Sequence, residues 1–288
     1  MSYRYTIIEE GKNFFATADD QERFYVGTRT QYEGLIGLFN LTSKLPNLDF
    51  DAANFRSKFE FWSDFIEPTA YCEGRNFLTL NTYDTAAFTF GFGQFAAHVP
   101  NGDFVCYFRN LLTFNDAGDY FPELTLRDGR IHAAALPIGE SELENDKSTK
   151  ALMAYLNPTL HAVEHEEVLA AAKFIHWTHA SVDARNAQVS QMIETYRGFM
   201  EAAMKKVDMD HRPATQCCVM ADILHHGRGG KKAWSKIKAA LANADPFSAL
   251  IAIGNPKWAE RTAKLRRHIE ANPEFAGKHW GNAKRDFV

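Results

Sequence analysis

The stretch 71–98, YCEGRNFLTLNTYDTAAFTFGFGQFAAH, decides how this chain is read. One carboxylate, Glu73, follows an apolar-periodic segment, and a second, Asp84, stands 11 residues later. Residues 76–95 are rich in Thr, Phe and Gly with strand propensity, so Asp84 falls in the turn region of an expected β-hairpin. Thr89 then leads into Gly91-Phe92-Gly93-Gln94. Glycosidic bond cleavage needs two acids. One protonates the leaving oxygen, and the other, ionised, acts on water or on the sugar carbon. A helix end and a hairpin can set two carboxylates across a groove. Glycines at 91 and 93 allow a tight turn and close approach of backbone to a bulky ligand. A purely structural reading stays open from the residues alone, because alternating Gly also marks bent strands.

Outward from this stretch, the first 50 residues are mixed. Residues 3–8 and 23–27 read as short strands and 30–41 as a helix, with no chemistry attached. Residues 51–67 read as an amphipathic helix, with Phe55, Phe59, Trp62 and Ile66 on one face and Pro68 ending or redirecting it. Asp103 is expected to cap a helix running to about Leu112. Residues 124–134 read as a hairpin turning at Asp128-Gly129. From Ser148 the pattern is almost wholly helical. HEEVLAAAKFIHWTHA forms one helix, 182–207 another, and the run after Pro213 a third, stopped by Gly227. Asp245-Pro246 and Asn255-Pro256 read as cap-then-Pro helix starts. The expected class is α+β, predominantly helical, with a small antiparallel element early in the chain.

Composition sets the limits. The chain has 288 residues, 32 Lys+Arg against 36 Asp+Glu, and 45% hydrophobic residues, an ordinary globular mixture. The mildly acidic total argues against general nucleic-acid binding. That total hides an asymmetry. Residues 197–288 hold 17 Lys+Arg and 9 Asp+Glu, whereas 1–196 hold 15 and 27. A basic C-terminal part suits an anionic wall polymer better than the polycation chitosan. Four cysteines are too few for a disulfide scaffold. No run approaches the roughly 18 apolar residues of a membrane span. The opening MSYRYTIIEEGKNFF lacks a basic-then-apolar leader, so synthesis in the cytoplasm is expected. The 23 Phe point to a Phe-rich core.

The order Glu73-Gly74, Tyr83, Asp84, Thr89-Phe90-Gly91-Phe92-Gly93 resembles the active-site segment of the lysozyme-like superfamily, most nearly the phage-type lysozymes (endolysins) and more distantly the chitosanases. In that family a Glu ends a helix, an Asp and a Thr follow on a hairpin, and a Thr-x-Gly-x-Gly strand comes next. The spacing here has two more residues between Glu and Asp and one fewer between Asp and Thr. Gln94 stands where many phage-type enzymes have His, and is more like the lytic transglycosylases. A second segment, VMADILHHGRGGKKAWSKIKAALANAD, resembles the family's core helix, turn and following helices. Trp258 and the run Glu260–Arg267 by number 260–267 resemble its terminal element, where Arg and Trp support the helical lobe and line part of the groove.

The resemblance covers about 52–115 and 213–271. It implies a lysozyme-like domain over 51–288 with an expanded helical insertion at about 115–212, preceded by a segment, 1–50, of no assigned role. It implies a muramidase cleaving β-1,4 bonds in peptidoglycan, with Glu73 as general acid, Asp84 as second carboxylate and Thr89 holding water. Gln94, Gly91, Gly93, Tyr83, His226 and Arg228 are then substrate-binding candidates. No cofactor or metal is implied. An enzyme made in the cytoplasm would reach the wall or periplasm by lysis or specialised export, with an immunity or secretion partner. A chitosanase-like hydrolase and a non-catalytic glycan-binding module are the alternatives.

Other residues compete for chemistry. Glu67 rivals Glu73 as general acid. His161-x3-His165 and His176-x2-His179 have spacings that suit zinc, although a solvated helix face explains them as well. Cys72 and Cys106 are poor nucleophiles, since a carboxylate beside Cys72 would raise its thiol pKa.

Overall fold

A computed structural model describes residues 2–40, 42–135 and 139–288. It is α+β and divides into two compact units, Met1–Asp49 with Gly74–Gln191, and Phe50–Glu73 with Met192–Val288.

The first unit is built on a seven-stranded antiparallel meander whose strands lie in chain order. They are β1 (Tyr5–Glu10), β2 (Asn13–Ala18), β3 (Phe24–Tyr32), β4 (Leu35–Phe39), β5 (Leu80–Asn81), β6 (Thr89–Phe90) and β7 (Phe95–Ala96). In β2 the pattern alternates, with Phe14, Ala16 and Ala18 buried and their neighbours only half covered. The helix expected over 30–41 is instead the β3–β4 hairpin. Its two-residue turn is Glu33-Gly34, both at positive φ (51° and 85°), the geometry that matches strand twist. Phe39 pairs with Asn81, so the first 40 residues are not a separate piece. They continue directly into the β5–β6 hairpin, whose turn carries Asp84 and whose second strand carries Thr89.

A second sheet follows, with β8 (Leu124–Arg127), β9 (Arg130–Ala135) and β10 (Gly139–Glu142). Its first hairpin turns at Asp128 and Gly129 as expected. The helix Asp103–Leu111 is capped by Gly102 rather than Asp103, whose carboxylate instead accepts from the amides of Ala96 and Phe104. The helix His165–Ala180 matches its sequence block and opens on a reciprocal Glu164/Glu167 capping box. Its Phe174 is the hub of the core. The rings of Phe88, Phe90, Phe104, Phe108 and Phe121 stand 4.8–5.5 Å from it. Such pairs add about 0.5–1.5 kcal/mol each beyond burial, which is one use of the high Phe content.

In the second unit the helix expected over 51–67 is broken. Arg56–Phe59 forms one turn, Glu60 takes φ 52°, and a new helix runs Phe61–Cys72 with Pro68 inside it. Pro68 does not end the helix. Phe65, Ile66 and Ala70 around it are fully buried, and such packing outweighs the lost backbone bond. The helix Ala214–His226 stops at Gly227, left-handed at φ 72°. Asp245 caps Pro246–Ile251 by accepting from the Ser248 amide at 3.1 Å. The last long helix is Ala259–Ala271, starting after Pro256 rather than at it. The helix Val182–Met204 contributes residues to both units. Among the described residues no helix is long and apolar enough to cross a membrane.

Candidate active site

Glu73 caps the C-terminal end of Phe61–Cys72, its amide donating to the carbonyls of Thr69 and Ala70. Thr69 lies one turn earlier on the same face. The Glu73 carboxylate is 2.7 Å from Arg261 Nη2 and 3.9 Å from His225 Nε2. The same Arg261 nitrogen lies 2.8 Å from Asp222 Oδ1. Asp222 also accepts from Thr69 Oγ1 at 3.0 Å and from Arg228 Nη1. Arg228 Nε in turn donates to the Ile253 carbonyl at 3.0 Å. Two carboxylates and two guanidiniums thus alternate in one network.

The side chains of Asp222 and Arg228 are wholly buried, Arg261 keeps 11% of its exposure, and Glu73 keeps 17%. Glu73 is therefore the member that meets solvent. Burial alone would raise the Asp222 carboxyl, but Arg228 and Arg261 hold it below the usual carboxylate range. Burial, and then the charge of Arg261, depress the His226 imidazole. His226 stands edge-on to Trp258, with ring centroids 4.5 Å apart, and its buried Nδ1 has no partner. Arg228, expected to bind substrate, is instead sealed inside and acts by holding Asp222.

The hairpin around Asp84, in the first unit, is held by hydrogen bonds from neutral donors. Asp84, half-buried in the β5–β6 turn, accepts from Asn81 Nδ2 at 2.9 Å and from the Ala86 amide at 2.8 Å. Asn81 is the ladder partner of Thr89, so one amide side chain links the position of Asp84 to that of Thr89. Thr89 is itself only 6% exposed. Burial, and then the neighbouring Asp84, raise the Tyr83 phenol, whose ring lies 6.2 Å from both Tyr32 and Phe39.

Gly91 has φ 90°, and a Cβ there would sit 2.5 Å from Gln188 Oε1. Only glycine fits this approach. Gln188 then clamps the turn, accepting from the Phe92 amide and donating to the Phe77 carbonyl. Gly93 is also buried, and Gln94 folds its carboxamide onto the Gly91 carbonyl at 3.1 Å. The close approach that Gly91 permits is thus to Gln188, not to an open surface.

The rivals find structural partners. Glu67 accepts from the Ala52 amide at 3.0 Å, and a six-residue offset turns it away from the Thr69–Glu73 face. Burial, and then Asp222, push the Cys72 thiol up to about 12, and burial also raises Cys106. Neither is a ready thiolate. His176 has Nδ1 at 2.9 Å from the Tyr5 hydroxyl. Among the described residues no three His, Cys, Asp or Glu side chains are grouped to hold a metal.

Sequence reading missed Asp222, Asn81 and Gln188 as site-building residues. Asp222 left a signal, since a lone acid inside VMADIL demands a buried cation. Gln188 left none. No family model, curated protein or solved structure matches this chain.

Proposed function

We propose that this protein is a glycoside hydrolase of lysozyme type, with a lysozyme-like fold, cleaving β-1,4 bonds in peptidoglycan. The observation that carries the reading is the Glu73 carboxylate, set at a helix end and gripped by an arginine that is itself locked on buried Asp222. Locking a reacting group through a second layer of buried charges is how a site fixes geometry before substrate arrives. Glu73 delivers the proton to the leaving oxygen. Asp84, fixed by Asn81 and Ala86 with a half-exposed carboxylate, acts on water or on the developing cation. Arg261 and His225 are the side chains that face the Glu73 carboxylate, at 2.7 and 3.9 Å.

Charge supports peptidoglycan over chitosan. Lys231, Lys232, Lys236 and Lys238 are exposed, and no ion pair involves them among the described residues. Such a run draws in an anionic polymer, with an attraction that salt weakens. The test is clearing of a peptidoglycan suspension by the wild type and by Glu73→Gln. The variant should keep its circular dichroism and melting profile and lose clearing at least 10³-fold. Undiminished clearing by Glu73→Gln would end the assignment of the acid.

A further inference from the structure

A cavity lies wholly in the first unit, at the end of the sheet formed by the β2–β3 turn, the segment after β4 and the C-terminal half of His165–Ala180. Its volume is about 500 Å³, within the range of small-molecule sites. None of the residues assigned to the glycosidase reading lines it, and the histidines of His176-x2-His179 do.

The lining is mixed. Phe24, Leu45, Leu78 and Ile175 contribute apolar surface. Lys44, His176 and His179 contribute polar nitrogens. Lys44 Nζ donates to the neutral Asn13 carboxamide at 2.8 Å and lies 5.1 Å from the Tyr25 ring centroid, and no ion pair involves it among the described residues. Arg23 also lines the space but is already paired with Glu10 at 2.6 Å. Glu22 is the carboxylate on the lining, and like Lys44 it is exposed to solvent, where charge is screened. The His176 ring is fixed on two sides, stacked on Phe24 at 5.7 Å and bonded to Tyr5. Burial, and then the neighbouring His179, depress its pKa. The tautomer in which Nδ1 accepts from the Tyr5 hydroxyl leaves the N–H on Nε2.

We propose that this cavity binds a small amphipathic carboxylate, with the acid group on Lys44, His176 and His179 and the apolar body against Phe24, Leu78 and Ile175. An ammonium and two imidazoles on one lining select an acceptor-rich anion. The apolar surface selects a hydrocarbon or aromatic body over a bare inorganic ion. The site is separate from Glu73 and Asp84 in residue content, and the proposal does not rest on the glycosidase reading.

The test uses the full chain and 1-anilinonaphthalene-8-sulfonate as a fluorescent anionic probe. One saturable site is expected, emptied by octanoate but not by octanol at equal concentration. Lys44→Ala should weaken probe binding about tenfold. Ser43→Trp, a substitution at an exposed rim position, should block it while circular dichroism stays unchanged. Non-saturable binding, equal displacement by octanol, or indifference to both substitutions would overturn the proposal.

Discussion

The two halves that carry the candidate acids are held by opposite means. Around Glu73 the supports are charges, with Asp222, Arg228 and Arg261 buried together. Around Asp84 and Thr89 they are neutral amides, Asn81 and Gln188, joined to backbone groups. A buried ion network is costly to desolvate and fails badly when one member is removed. A neutral clamp costs less to bury but depends on shape, here on a glycine with no Cβ. The comparison teaches that the charged half fixes the Glu73 carboxylate by charge, through Arg261 and Asp222. The neutral half is a template that fixes position.

The largest expected effect tests the charged half. Asp222→Asn keeps the shape and leaves Arg228 and Arg261 without their shared counter-charge. It should cost about 3–5 kcal/mol, read as a fall in the urea midpoint. A loss under about 1 kcal/mol would break the contrast.

Glu167 supplies the next test, because it is a buried carboxyl in the neutral half. It accepts from the Thr82 hydroxyl and from the Leu38 and Glu164 amides, none of them a cation. Burial, opposed by these hydrogen bonds, raises it to about 7. The folded state therefore holds this proton more tightly than the unfolded state. Its contribution is fully present below about pH 4.5 and is lost as pH rises through about 7. At about 1.4 kcal/mol per pKa unit, the total is about 3 kcal/mol. Urea unfolding from pH 5 to 8 should show this decline, and Glu167→Gln should flatten it. An unchanged slope in the variant would remove Glu167 as the cause.

The smallest effect concerns the clamp. Gly91→Ala forces a side chain into left-handed backbone and against Gln188. It should cost about 2 kcal/mol. Pairing it with Gln188→Ala should recover part of that loss, and strict additivity would show that the contact does not matter.

Much of the helical part was legible in the sequence, because its signals are local. Gly227, Asp245-Pro246 and the block 165–180 each carry their own start or stop. The Asp128-Gly129 turn was readable for the same reason. The β3–β4 hairpin was not, since Glu33-Gly34 is a weaker turn signal than Asn-Gly or Asp-Gly. Pro68 misled because local chemistry said stop while fully buried neighbours kept the helix going. At the candidate site, Glu73 and Asp84 were named from their order along the chain. What holds them was not: Arg261 lies 188 residues from Glu73, and Gln188 lies 97 from Gly91. No local pattern encodes partners that only the tertiary fold selects.

The central claim is that Glu73, and not its helix neighbour Glu67, is the acid of a glycosidase. Reducing-end release from purified peptidoglycan by wild type, Glu73→Gln and Glu67→Gln tests it most directly. The account predicts sugar ends from the wild type and from Glu67→Gln, and none above background from a folded Glu73→Gln. Equal release by Glu73→Gln, or no release by the wild type, would contradict it.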